Sequence, residues 1–144
     1  MALTDSSVVV TQAIFDLLLA AKKDLGLAAV HYGDTDLYPK FPVALVESGP
    51  KSRPLTSASA RRFVVGLTTF ITIVHGKVEK VDTTKKRTEE FAELIEAKLH
   101  EDFTLGDLVI FGHVTSMDPG VIVKPSVMVR ASRLTWTGTS RKTF

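Results

Sequence analysis

With 144 residues, the chain is long enough for one hydrophobic core and shorter than two ordinary domains. Its 44% hydrophobic and 24% charged residues are globular proportions and exclude a disordered or fibrous chain. A net charge of +2 is too weak a field to point to nucleic acid, and the lack of cysteine excludes a disulfide framework and any thiolate metal site.

Taken in order, the first apolar run is IFDLLLAA, Ile14 to Ala21, bounded by Asp5 and by Lys22-Lys23-Asp24. It lacks a basic leader and is too short to span a bilayer, so neither a signal peptide nor an anchor is expected, and folding is expected in the cytoplasm. Ser6 or Ser7 can cap a helix running to about Leu25, with Gly26 as its left-handed stop. Val10, Ile14, Leu17, Leu18, Ala21 and Leu25 share one face at the helical period, while Phe15 and Leu19 widen the apolar surface. Leu27 to Tyr32 reads as a short strand ending at Gly33-Asp34. Pro39 and Pro42 disfavour helix before them, so the next strand is expected to begin at about Phe41.

From Ser48 to Ala60 the chain reads SGPKSRPLTSASA, with two prolines, four serines and the cations Lys51 and Arg53. A polar segment this long predicts a loop, either a solvated hairpin tip or a contact that orders during assembly. The strand from Arg61 to Val74 follows. Phe63, Val65, Leu67, Thr69, Ile71 and Ile73 make its core face, and the opposite face is too apolar for free solvent. A turn is expected near His75-Gly76-Lys77, then a helix from Val81 to Leu99 capped by Asp82, with Phe91, Leu94, Ile95 and Leu99 as its buried stripe. Glutamates and lysines occupy its outward positions.

Two strands close the chain. Leu108 to Met117 leads to Asp118-Pro119-Gly120, a strong turn signal, and the return strand runs from Val121 to Thr139. Val127, Val129 and Ala131 keep one phase whereas Leu134 and Trp136 keep the other, which predicts a bulge near Ser132-Arg133 or, without one, an outward Trp136. The tail, Ser140 to Phe144, is basic and expected to be unstructured in an isolated subunit. The pattern as a whole predicts one α+β domain over residues 1–144: a single, mainly antiparallel sheet with two helices packed on it and a long hairpin loop. Its shared core is expected to include Leu17, Leu18, Phe63, Val65, Ile71, Phe91, Leu94 and Ile95.

Motifs for chemistry are sparse. The four histidines, His31, His75, His100 and His113, have neither helical nor zinc-finger spacing. GxSxG, the P-loop and GxGxxG do not occur, and the glutamates of the second helix lie among lysines on a solvated face. No catalytic residue, metal or cofactor is therefore expected, and an enzyme is disfavoured. The cations Lys51, Arg53, Arg61 and Arg62, and Arg130, Arg133, Arg141 and Lys142, lack the interleaved aromatics of a single-strand stacking platform.

The N-terminal helix Thr11–Leu25, the phrase YPKFPVALVESG from Tyr38, the strand LTTFITIVHGK from Leu67, the helix from Thr84 to Leu99 and the closing SVMVRASRLTWTG from Ser126 carry a resemblance. Their order is similar to that of the tail terminator (tail completion) proteins of long-tailed bacteriophages, and the likeness covers most of the chain. The resemblance implies a homo-oligomeric ring, commonly a hexamer, that caps the tail tube, stops its polymerisation and presents the surface that joins the head. It also implies a tail tube protein and a head-tail connector as partners, genomic double-stranded DNA passing through the lumen unread, a place in the virion after assembly in the host cytoplasm, and no membrane. Assembly contacts are expected at Lys51, Arg53, Arg61, Arg62, Arg133 and Trp136. Another head-tail connector or neck subunit is the alternative within that class. A small nucleic-acid-binding module is the alternative outside it.

Overall fold

The computed structural model describes residues 3–33, 42–52, 55–57, 62–77, 81–124 and 127–143; the side chains of 55–57, 62–64, 75–77, 81–85, 87–88, 121–124, 127–130 and 141–143 lie outside that description. Helices α1 (Ser7–Ala20) and α2 (Lys22–Leu25) precede strands β1 (Ala29–Tyr32), β2 (Val43–Ser52), β3 (Leu55–Ser57) and β4 (Arg62–Lys77). Helix α3 (Val81–Leu99) and the hairpin β5 (Phe111–Lys124) and β6 (Val127–Thr143) complete the chain.

The expected first helix is one continuous apolar stripe with a break. Ser6 caps it, its side chain accepting from the Val9 amide, and Ala21 leaves helical geometry before α2 resumes. Gly26 stops α2 at φ 76°, where its own N–H donates to the Lys23 carbonyl and that of Leu27 to the Lys22 carbonyl. This is the paired closure that a left-handed residue permits and that only glycine adopts without strain.

The six strands form one sheet in the order β1-β2-β4-β6-β5, with β3 continuing the β2 flank of β4. Among the described strands only β1 and β2 run parallel, so the sheet is mainly antiparallel and the fold is α+β. Both long helices lie on one face, α1 over β1, β2 and β4, and α3 over β4, β6 and β5. Between them and the sheet sit Val10, Ile14, Leu18, Ala44, Val46, Val65, Leu67, Ile71, Ile73, Ala92, Ile95, Leu99, Leu134 and Trp136. A smaller cluster, Val43, Leu45, Val74 and Ala131, occupies the opposite face. That cluster explains why β4 is apolar on both sides.

Several expectations need correction. The polar segment from Ser48 is not a long loop: Ser48–Ser52 belong to β2, and Leu55–Ser57 pair with β4 as β3. Backbone ladder bonds are indifferent to the polarity of the side chains, and one register shift at Gly49-Pro50 absorbs the proline. Deleting Lys51–Ser57 would therefore remove strand pairing rather than a spare loop. Phe41, the expected start of β2, lies outside the described residues, as do Arg53 and Arg61. The expected turn at His75-Gly76-Lys77 is strand, with His75 as the extra residue of a bulge opposite Ala131 and Arg130. Asp82 is the second residue of α3 rather than its cap.

The Asp118-Pro119-Gly120 turn is also strand. These residues pair with Arg133, Ser132 and Ala131, and the pairing continues out to Lys124 opposite Val127. Proline is tolerated there because β5 is the sheet edge, where a missing N–H costs no ladder bond. No bulge interrupts β6 at Ser132-Arg133; the extra residue is Thr115 of β5, opposite Trp136 and Thr135. Nor are Ser140–Thr143 unstructured, since they pair with Arg62–Val65 and Ser140 is fully buried.

Candidate assembly surfaces

Of the residues expected at an assembly contact, the three whose side chains are described, Lys51, Arg133 and Trp136, lie at different places on the fold. Lys51 pairs in register with Leu67, whose side chain faces the helices, and its Nζ lies 3.9 Å from Asp5 beside the start of α1. Arg133 stands on the other face of the sheet. Its guanidinium lies 4.6 Å over the Phe70 ring and 3.6 Å from Glu47 Oε1, a row crossing β2, β4 and β6. Both ends of that ion pair are well exposed, so it contributes little stability, and its effect is to hold Arg133 against its own sheet. Arg62 takes its place at the start of β4 beside Thr143, with its side chain outside the description.

Trp136, expected at an assembly contact, does not reach the surface of the subunit. It is fully buried on the helix face, because β6 alternates without interruption and places Leu134 and Trp136 together while Ala131 serves the opposite cluster. Its indole lies over two glycines, Gly112 on β5 and Gly138 on β6, where any Cβ would collide with the ring. A tryptophan two positions from one glycine is the trace of this arrangement in the sequence; the second glycine comes from the neighbouring strand and only pairing reveals it.

A surface that the sequence does not announce lies where the chain leaves α3. The rings of Phe103 and Phe111 stack with centroids 5.1 Å apart, at an interplanar angle of 18°, flanked by His100 and His113 at 5.2 Å. Residues 100–110 wrap the start of edge strand β5, whose outward N–H groups they satisfy. Gly112 donates to the Phe103 carbonyl at 2.7 Å and Val114 to His100 Nε2 at 3.0 Å. The accepting nitrogen requires an unprotonated Nε2, so His100 is occupied in blunting a sheet edge. Phe103 and Phe111 nonetheless remain 40% and 47% exposed.

Asp102 holds that loop together. One carboxylate oxygen accepts from the Thr104 hydroxyl and amide, the other from the Gly106 amide, and Leu105, Gly106 and Asp107 all follow at positive φ. The Thr104 hydroxyl, then the Gly106 and Thr104 amides, lower the Asp102 pKa by favouring the charged form. A lowered folded-state pKa contributes stability that is present above the ordinary Asp value of about 3.9 and lost as pH falls through the folded value. Replacing Asp102 by Asn is therefore expected to lower the melting temperature at neutral pH, with the gap to the wild type closing as the solution is acidified. A gap constant across that range would show that the carboxylate charge plays no part.

The Thr11 hydroxyl meets Ser48 Oγ at 2.7 Å and Thr69 Oγ1 at 3.0 Å, tying α1 to β2 and β4. Among the described residues no group of three His, Cys, Asp or Glu side chains converges to hold a metal ion, and no helix is long and apolar enough to cross a membrane.

No family model and no curated protein matches the chain. Among solved structures it is similar to a chain described as "Virion of native gene transfer agent (GTA) particle", at 13% identity and a TM-score of 0.41, covering 90% of this chain and 92% of that one.

Proposed function

We propose that this chain is a non-catalytic structural subunit of a phage-type virion, a tail terminator that forms a ring on the last tier of the tail tube. The observation that carries the reading is apolar surface left exposed on the helix layer and at the β5 edge of a subunit that already buries a core between helices and sheet. Val8, Leu19 and Leu94 are exposed on α1 and α3, and Phe103, Ile110 and Phe111 at the β5 edge. Exposed apolar residues on two sides suit a subunit with a neighbour on each, as a closed ring requires. The order of elements, a helix, a parallel strand pair, a long central strand, an amphipathic helix and a final hairpin, supports the same reading through the family resemblance. On this reading the cap acts by stoichiometry and shape: one ring face complements the tube subunits and the other meets the head connector. DNA crosses the lumen without sequence recognition.

Two measurements test it. Native mass spectrometry of the purified chain is expected to give a closed oligomer, a hexamer on the family pattern. Electron microscopy of tails assembled without the protein is expected to show overgrown tubes that fail to join heads. Tubes of normal length that still join heads would overturn the proposal.

A further inference from the structure

Two backbone N–H groups of β5, those of Gly112 and Val114, donate across its open edge to residues 100–110, and their acceptors differ in kind. Gly112 donates to the Phe103 carbonyl at 2.7 Å, a contact indifferent to pH. Val114 donates to His100 Nε2 at 3.0 Å, and that nitrogen accepts only while it carries no proton. The far end of the segment is secured separately: Leu105, Leu108 and Val109 are buried in the core, and the Thr4 amide donates to the Leu108 carbonyl at 2.8 Å. The titratable groups around His100 are Glu96, Lys98 and Glu101 where α3 ends, Asp102 in the loop and His113 on β5. Lys98 and Glu101 are paired with each other at 2.9 Å, and Asp102 is engaged by Thr104 and Gly106. His113 meets the aromatic row from the other side of Phe111, and among the described residues its buried Nδ1 has no hydrogen-bond partner. Opposite this stretch, β6 presents Trp136, Thr137 and Gly138, none of them charged.

We infer that His100 is a proton-released latch on the edge strand β5: its neutral ring holds the Val114 N–H, and protonation of the ring lets that part of the edge go. The imidazolium carries a hydrogen on both nitrogens, so Nε2–H would face the Val114 N–H, donor against donor. The charged ring keeps a favourable place against Phe103, whose centroid is 5.2 Å away, so release is a turn of His100 off the edge toward that ring. Each opening takes up one proton, and a histidine in water takes it up near about pH 6.5. The latch is therefore closed above that pH, and each unit below it favours the open form by up to about tenfold. Opening leaves an outward N–H unpaired on the edge strand, while the Phe103 carbonyl and the buried leucines hold the rest of the loop in place. Every contact involved lies within one subunit, so the latch is independent of the ring proposed above.

The test is residue-resolved amide hydrogen exchange of the full chain from about pH 7.5 to about pH 5, scaled at each pH to the rate of an unstructured amide. Protection at Val114 is expected to fall by up to about tenfold per unit below about pH 6.5, while protection at Gly112 stays level. In His100→Gln the side-chain amide oxygen can accept at every pH, and the Val114 profile is expected to flatten. His113→Gln is expected to leave the wild-type profile unchanged. Nitrogen-15 shifts of the wild-type imidazoles give a readout that needs no variant to fold: His100 is expected as the Nδ1–H tautomer with a bare Nε2 at about pH 7.5. The Nε2–H tautomer there, or a flat wild-type profile at Val114, would overturn the latch. So would a fall that persists unchanged in His100→Gln, or one that His113→Gln abolishes.

Discussion

Replacing Trp136 by Ala is expected to cost about 3–5 kcal/mol of folding stability, the range for removing a fully buried large aromatic. Trp136 is fully buried where β6 crosses beneath α3, and its ring fills the space left by two glycines. Alanine leaves a void that those glycines cannot collapse into, since neither has a side chain to move. The reverse change acts through the same contact. Gly112→Ala drives a Cβ into the indole and is expected to cost about 1–3 kcal/mol or more by overpacking. Urea unfolding of the three proteins checks both values. A Trp136→Ala loss below about 0.5 kcal/mol, the scale of ordinary surface changes, would place the indole at the surface and restore it as an assembly contact.

The second large effect separates neighbouring residues of α3. Ile95 is fully buried against the sheet whereas Leu94, one position earlier, is 52% exposed. Ile95→Ala is expected to cost about 2–5 kcal/mol, and Leu94→Ala less than about 0.5 kcal/mol in an isolated subunit. This corrects the stripe expected from periodicity, in which Leu94 was core: among the described side chains of α3 the buried positions are Ala92, Ile95 and Leu99, with Phe91 packed beside them. Equal losses at 94 and 95 would show that the helix sits rotated from the register described here.

The sequence alone determined those elements whose periodic signal is long and whose ends carry a stop. Helix α3 spans Val81–Leu99 as its amphipathic pattern predicts, α2 ends at Gly26, and β4 buries Val65, Leu67, Thr69, Ile71 and Ile73 together. The α+β fold, with one mainly antiparallel sheet and helices packed on it, follows from the same signals. Tertiary structure alone decided the rest, because each remaining question depended on what lay opposite. Leu94 and Ile95 are both apolar and about 100° apart on a helix, so only the position of the sheet chooses between them. Asp118-Pro119-Gly120 has the composition of a turn, but pairing with Ser132 and its neighbours on β6 keeps it in the ladder. Trp136 packs in the core because the opposite face has its own cluster to receive Ala131, which removes the need for a bulge. Lys51 and Arg133, cations that composition treats alike, lie on opposite faces of the sheet and are paired within the chain. The aromatic stack of Phe103 and Phe111 forms only because residues 100–110 wrap an edge strand, a long-range contact that no local pattern encodes.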